Sequence, residues 1–262
     1  MKNKVIVITG AASGLGKSIA LELSAKGNKI IILDILKKQG EALVKLINES
    51  KGDAVFLQVD LSNASQIKKI FNTINSTFKV VDVLINNARP KLQKFDMEEG
   101  FEEWDEAINI LLKAPGLCAT EASKLMKNKG AIINISSTNA KTISHQPMVY
   151  HVGKAGLEHM TRYLSVQLAE KNIVVNTLSI GLIDIVDGGR KVFSEDRTNK
   201  AVIEMTVPLK RAANVKDIVK AIVFLSSSSA DYITGQTLIL DGGIINQDHF
   251  HVSLKSFLKG KI

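Results

Sequence analysis

The sequence predicts an α/β fold, a doubly wound parallel sheet of about seven strands with helices on both faces. Three observations predict it. Short β-rich runs alternate with helix-like segments along the whole chain, the pattern of a sheet built from strand–helix–strand units. Most of those runs are continuously apolar rather than alternating, which suits strands covered on both sides. The 262 residues, 45% of them hydrophobic and 23% charged, are enough for one large core with an ordinary surface, so disorder is not expected.

Strands are expected at 5–8, 29–33, 54–59, 81–85, 131–135, 173–178 and 237–240. Between the first two, Leu15, Ile19 and Leu23 recur at four-residue spacing, and Ile67 and Phe71 do the same after the third, so each set shares a helix face. A further helix is expected over 215–226, with Ile218, Ile222 and Leu225 on one side. Right-handed crossovers put such helices on both faces of the sheet. The ligand then lies at the carboxyl ends of the strands, where strand order reverses. One stretch departs from the pattern: 182–208 is polar, contains Gly188-Gly189 and follows a strand. It reads as an irregular substrate lid.

Composition narrows the functions. No run approaches the roughly 18 apolar residues that span a bilayer. Met1-Lys2-Asn3-Lys4 leads straight into Val5-Ile6-Val7-Ile8 and stops at Thr9-Gly10, with no secretory h-region, so a cytoplasmic protein without a membrane partner is expected. The single cysteine, Cys118, excludes an internal disulfide or a cysteine metal cluster and reads as a small buried residue. A net charge of +8 could suit nucleic acid, but the lysines are scattered and no basic stripe is interleaved with aromatics, so no such partner is expected. His145, His151, His159, His249 and His251 show no metal-ligand spacing. No metal is expected, and a surface or substrate-contact role is expected for His145 and His151.

Between the first strand and the first helix lies Thr9-Gly10-Ala11-Ala12-Ser13-Gly14-Leu15-Gly16. Glycines let the backbone turn tightly and approach a phosphate, and the helix behind them offers unpaired N–H groups to a pyrophosphate. The spacing is G-x3-G-x-G rather than the general G-x-G-x-x-G. A Rossmann-like nucleotide site follows. Asp34 ends the second strand, 18 residues beyond Gly16. A carboxylate there can accept both ribose hydroxyls and repel a 2′-phosphate, so NAD is expected over NADP. Lys17 and Lys37 argue the other way, since they can attract a 2′-phosphate.

Further motifs follow in order: Asp60 after the third strand, Asn86-Asn87-Ala88, Asn109, Ser137, Tyr150-x3-Lys154 and Thr234-Gly235-Gln236. Ser137 precedes Tyr150 by 13 residues, and Asn109 precedes Ser137 by 28. With the glycine turn, these resemble the short-chain dehydrogenase/reductase family over almost the whole length, from about Val5 to Gly243. The resemblance implies an oxidoreductase interconverting a secondary alcohol and a ketone, with Asn109, Ser137, Tyr150 and Lys154 as the catalytic set. It implies that Gly10, Ser13, Gly14, Leu15, Gly16, Asp34, Asp60, Leu61, Asn87, Ala88, Tyr150, Lys154, Gly181 and Ile183 hold the cofactor. Asp60 and Leu61 should lie by the adenine, and Asn109 should distort its helix and hold a water near Lys154. A homodimer or homotetramer is also implied. Residues 1–243 then form a single oxidoreductase domain. The 244–262 extension is either a loose tail or a segment docking on a neighbouring subunit.

The chemistry can be argued from the residues themselves. Tyr150 and Lys154, four apart on a helix, share a face. A free tyrosine has a pKa of about 10; a neighbouring ammonium and an oxidised nicotinamide should lower it towards working pH. Tyr150 would protonate the carbonyl oxygen as hydride reaches the carbon, and Ser137 would stabilise the developing charge. Three positions depart from the family pattern: Arg89 after Asn-Asn-Ala, Ile180 before Gly181, and Ile185. Arg89 is expected either to face an anionic substrate group or to pair with a local acid or a cofactor phosphate, with Ser137, His145 and Tyr150 as the other substrate contacts. 3-Oxoacyl thioesters, sugars or nucleotide sugars, and hydroxy acids remain open as substrates. A non-catalytic NAD-binding sensor is the alternative class, although a sensor needs only the glycine turn. A nucleotide-sugar epimerase fits less well, because its turn reads T-G-x2-G-x2-G.

Overall fold

All seven expected strands form and join one sheet in the computed structural model, which describes residues 2–92, 104–187, 190, 191 and 193–259. The elements run β1 (Val5–Thr9), α1 (Gly14–Ser24), β2 (Lys29–Asp34), α2 (Lys37–Glu49), β3 (Asp53–Gln58), α3 (Ala64–Phe78), β4 (Val83–Asn86), α4 (Trp104–Ile108), α5 (Ala114–Ser123), β5 (Gly130–Ser137), α6 (Met148–Gln167) and β6 (Ile173–Ile180). Then come the short pair β7 (Val186–Asp187) and β8 (Arg190–Lys191), α7 (Arg197–Thr206), α8 (Val215–Leu225), β9 (Thr237–Leu240) and α9 (His249–Lys259). The sheet order is β3-β2-β1-β4-β5-β6-β9, parallel throughout. Strand order reverses between β1 and β4, so the crevice for a ligand opens at their carboxyl ends.

The continuous apolar runs have a simple cause. Successive strand side chains point to opposite faces. Ile6 and Ile8 join one core with Ile19 and Leu23 of α1 and Ile218 and Ile222 of α8. Val7, between them, joins the other with Ile67 and Phe71 of α3, Cys118 of α5 and Leu164 of α6. Both faces are therefore apolar and covered. Cys118 is fully buried, and burial pushes its thiol up to about 12, consistent with an inert packing residue.

Two stretches differ from the sequence expectation. The segment 182–208 is not irregular throughout. It holds the β7–β8 pair and the ten-residue helix α7. Asp196 caps α7 by accepting from the Asn199 N–H at 2.7 Å, and the Asp184 carboxylate accepts from the amides of Phe193 and Ser194. These local bonds supply the order that apolar periodicity does not advertise; Gly188-Gly189 lie outside the described residues. The second stretch is the extension after Gly243, left open as a loose tail or a docking segment, in which His249–Lys259 form the helix α9. The Gln247 side chain donates to the Thr206 carbonyl at the end of α7 and anchors it.

Candidate active site

The glycine turn is built by steric need. Gly10 has φ +63°, and a Cβ there would sit 2.6 Å from the Ala88 Cα. At Gly16 a Cβ would fall 2.6 Å from the Asn87 Nδ2. That amide is in place because it donates to the carbonyls of Thr9 and Gly10, each at 3.0 Å. The Thr9 hydroxyl accepts from the amides of Asn87 and Ala88. The β4 end thus braces the turn after β1. Gly14 has φ +53° and nothing within 4 Å of its missing Cβ. Ser13 makes no side-chain cap, and the first turn of α1 carries no acid. An open cradle of glycine backbone below an uncapped helix N-terminus fits the pyrophosphate of a dinucleotide.

Asp34 is placed differently from the expectation. It is buried, and its carboxylate accepts from the amides of Ala12 at 2.9 Å and Leu36 at 3.0 Å. Both oxygens are thus engaged in holding the glycine turn to the end of β2. Lys17 of α1 and Lys37 of α2 are exposed. Asp60 is likewise turned inward on its own loop, accepting from the amide and hydroxyl of Ser62, with Leu61 buried beside it. Gly181 allows β6 to approach β9: a Cβ there would lie 2.9 Å from the Asp241 Cβ. Ile183 bridges to Ala213 and packs on the first core.

The reacting groups gather at the ends of β5 and α6. Ser137 is the last residue of β5, and its hydroxyl lies close enough to the Tyr150 phenol to favour the phenolate. Lys154, one turn along α6, is 4% exposed; its Nζ donates to the Ile135 carbonyl at 2.7 Å and stands 5.6 Å from the centre of the Tyr150 ring. Asn109 opens a π-helical stretch, Asn109–Lys113, in which the Ala114 amide reaches back to the Asn109 carbonyl. Gly153 lets this stretch pack on α6, since a Cβ there would meet Leu111 at 2.9 Å. A π-bulge of this kind frees backbone groups beside a site. Beneath lies a buried polar chain. Asn86 Nδ2 donates to Asn134 Oδ1 at 2.8 Å, Asn134 Nδ2 donates to the Thr161 hydroxyl at 2.8 Å, and Thr161 meets Thr177 at 2.7 Å.

Electrostatics revise one expectation. The Tyr150 phenol lies above its ordinary value rather than below it. Burial raises it, and this outweighs the lowering by the Ser137 hydrogen bond and the Arg89 charge. Lys154 is brought down to about 8, by burial first and then by Arg89. Arg89 itself is exposed and makes no ion pair among the described residues. His145 is exposed on the loop after β5, but His151 is buried, against the expectation of a surface or substrate-contact role. Sequence spacing carried no signal for His151, whose partners come from a loop without periodicity. No group of metal-ligating side chains occurs among the described residues.

A family model described as "Enoyl-(Acyl carrier protein) reductase" matches residues 10–245. Relatives include the 3-oxoacyl-[acyl-carrier-protein] reductase FabG of Staphylococcus epidermidis, 31% identical over 245 residues, covering 92% of this chain and 99% of that protein. The FabG of Staphylococcus aureus is 32% identical, covering 92% and 98%. The chain belongs to the short-chain dehydrogenase/reductase family. This short-chain dehydrogenase/reductase is an oxidoreductase, and solved structures share its fold. A gluconate 5-dehydrogenase from Burkholderia cenocepacia, in complex with NADP and tartrate, superposes with TM-score 0.85 at 22% identity, covering 95% of this chain and 97% of that one. A blue fluorescent protein from a metagenomic library, in complex with NADPH, gives 0.82 at 27% identity, covering 93% and 98%. These findings overturn the expectation of NAD and point to NADP. The physical reason lies at Asp34. Its buried carboxylate already holds the glycine turn and the end of β2 through one backbone amide on each oxygen, and α1 and α2 carry the exposed cations Lys17 and Lys37.

Proposed function

We propose that this short-chain dehydrogenase/reductase is an NADP(H)-dependent reductase that converts a ketone to a secondary alcohol, with a 3-oxoacyl thioester as substrate. The observation that carries the reading is the buried Lys154 ammonium, held by the Ile135 carbonyl 5.6 Å from the centre of the Tyr150 ring, with Ser137 ending the adjoining strand. Both named FabG relatives are 3-oxoacyl reductases, which supports the ketone and the substrate class. When bound, the dinucleotide supplies the hydride.

The residues of the chain do the rest. Gly10, Ser13, Gly14, Leu15 and Gly16 hold the pyrophosphate, with Asn87 and Ala88 bracing them; Lys17 and Lys37 face the 2′-phosphate. Asp34 shapes that corner, with Asp60 and Leu61 beside the adenine. Gly181 and Ile183 border the nicotinamide side. Tyr150, held protonated by its burial, gives its proton to the carbonyl oxygen. Ser137 accepts from the Asn139 amide at 3.2 Å, which leaves the serine proton free to point at the same oxygen. Lys154 spends one of its donors on Ile135, and the others serve the ribose. Asn109 orders a water behind Lys154. The segment 182–208 covers the substrate, and exposed Arg89 meets an anionic group on it.

The test is direct. The purified chain should consume NADPH with an acetoacetyl thioester, and Tyr150→Phe should bind NADPH as tightly while losing turnover by about 10²- to 10⁴-fold. Wild-type turnover in Tyr150→Phe would overturn the assignment.

A further inference from the structure

We propose that His151 is a positioning residue, a latch that ties the loop after β5 to α6 and so fixes the spacing of Ser137 and Tyr150. The inference rests on the reading of those two as the reacting pair. It starts from a loop that lacks other support. Among the described residues, 143–146 make no backbone-to-backbone hydrogen bond. Ile143, Ser144 and His145 are exposed. The backbone amide of Ser144 leaves the loop only once, to reach His151 Nε2 at 3.1 Å.

His151 is 9% exposed, and both ring nitrogens are engaged. Nδ1 lies 3.0 Å from the carbonyl of Pro147, the residue that caps α6. A carbonyl can only accept, so Nδ1 carries a proton. A backbone N–H can only donate, so Nε2 carries none. The partners on the two sides therefore select one state of the ring, neutral with its proton on Nδ1. The imidazole links the loop to the start of the helix that bears Tyr150.

The link continues to the reacting groups. The Ser144 hydroxyl accepts from Asn139 Nδ2 at 2.8 Å and from the Gln146 amide at 3.2 Å. The Asn139 amide donates to Ser137 Oγ at 3.2 Å. On the far side, the Tyr150 amide donates to the same Pro147 carbonyl at 3.0 Å, and the Tyr150 and His151 rings meet edge to face, 6.4 Å between centres. A chain of contacts thus runs from Ser137 through Asn139, Ser144 and His151 to Tyr150. Cutting it at His151 frees the loop and relaxes the aim of Ser137. Small misplacements of groups that must converge on one oxygen cost large factors in rate.

Two variants cut the same bond from opposite sides. His151→Phe removes both ring contacts, and Ser144→Pro removes the amide donor together with the hydroxyl that accepts from Asn139 and Gln146. Each should lower kcat for NADPH-dependent reduction of an acetoacetyl thioester by about 10- to 100-fold, with the Kd for NADPH unchanged. His151→Gln, whose side-chain oxygen can again accept from Ser144, should recover most of the loss. The double variant His151→Phe/Ser144→Pro should be no slower than the worse single one. Nitrogen-15 spectra of the wild-type imidazole should show the proton on Nδ1, and the Ser144 amide should exchange faster in His151→Phe. A kcat within about twofold of wild type in His151→Phe, additive losses in the double variant, a proton on Nε2, or unchanged Ser144 exchange would each overturn the latch. If the wild type turns over no carbonyl, the proposed function fails instead, and the imidazole spectrum and amide exchange still decide the latch.

Discussion

Burial sets the protonation of the two groups on which the chemistry turns, and it acts on them in opposite directions. Removing Tyr150 from water disfavours its phenolate, so it stays a proton donor through neutral pH. The same removal disfavours the Lys154 ammonium, which is lost as pH rises through about 8. Carbonyl reduction measured as kcat/KM should therefore hold steady at lower pH and fall above about 8. Stability should move the other way. The folded Lys154 value is depressed from 10.5 to about 8, so between those values the unfolded chain binds more protons and folding strengthens as pH rises. A pH series of denaturant melts beside the rate profile checks both signs. Arg89 contributes to both depressions and has no acid of its own among the described residues. Arg89→Ala should raise KM for a phosphate-bearing thioester several-fold and leave a neutral 3-oxo ester nearly unchanged. Equal effects on the two substrates would refute the anionic contact.

At the scale of elements, what holds the site is the fit of one segment against the next. α6 accepts the π-helical stretch only because Gly153 and Gly156 lack side chains facing Leu111 and Leu112. Gly153→Val should separate the two, displacing the π-helical stretch that Asn109 opens and lowering kcat, with the loss read against an unchanged Kd for NADPH. The glycine turn is as strict. Gly16→Ala puts a methyl onto the Asn87 amide and the Gly10 carbonyl, so NADPH affinity should drop by at least about tenfold in a titration, a free-energy loss of about 1.4 kcal/mol. Elements far from the site obey ordinary helix rules. Asn214 and Asp217 form a reciprocal capping box on α8, and Asn214→Ala should cost about 1 kcal/mol of stability without altering kcat.

For the molecule as a whole, the sheet carries the site on a buried polar chain that crosses it. Asn86, Asn134, Thr161 and Thr177 link β4, β5, α6 and β6 in a region with no access to water. Asn134→Ala takes one buried partner each from the Asn86 amide and the Thr161 hydroxyl, which keep Pro115, Leu157 and Thr177, so it should destabilise the fold by about 1–3 kcal/mol, seen as a lowered Tm. Its neighbours Ile133 and Ile135 face the other core, where a comparable loss would come from a cavity instead. Val152, Tyr163 and Val166 on α6 are exposed, and the homodimer or homotetramer implied by the family resemblance should be found by sedimentation of the purified chain. No helix among the described residues is long and apolar enough to cross a membrane.

The chain on its own determined the layered α/β sheet, because alternating apolar runs and helix faces are local patterns fixed by side-chain periodicity. Its motif spacing also determined where Ser137, Tyr150 and Lys154 would be sought, since Tyr150 and Lys154 share a helix face by geometry and Ser137 closes a neighbouring strand. Only the tertiary structure decided what surrounds those groups. Asp34 was legible as the residue that ends the second strand, but not as the buried carboxylate that holds the glycine turn through two backbone amides. Tyr150 looked like a lowered acid until burial outweighed its charged neighbours. His151 looked like a surface residue until a loop and a helix cap took both its nitrogens. Hydrogen-bond partners and desolvation come from residues distant in sequence, and no spacing along one chain records them.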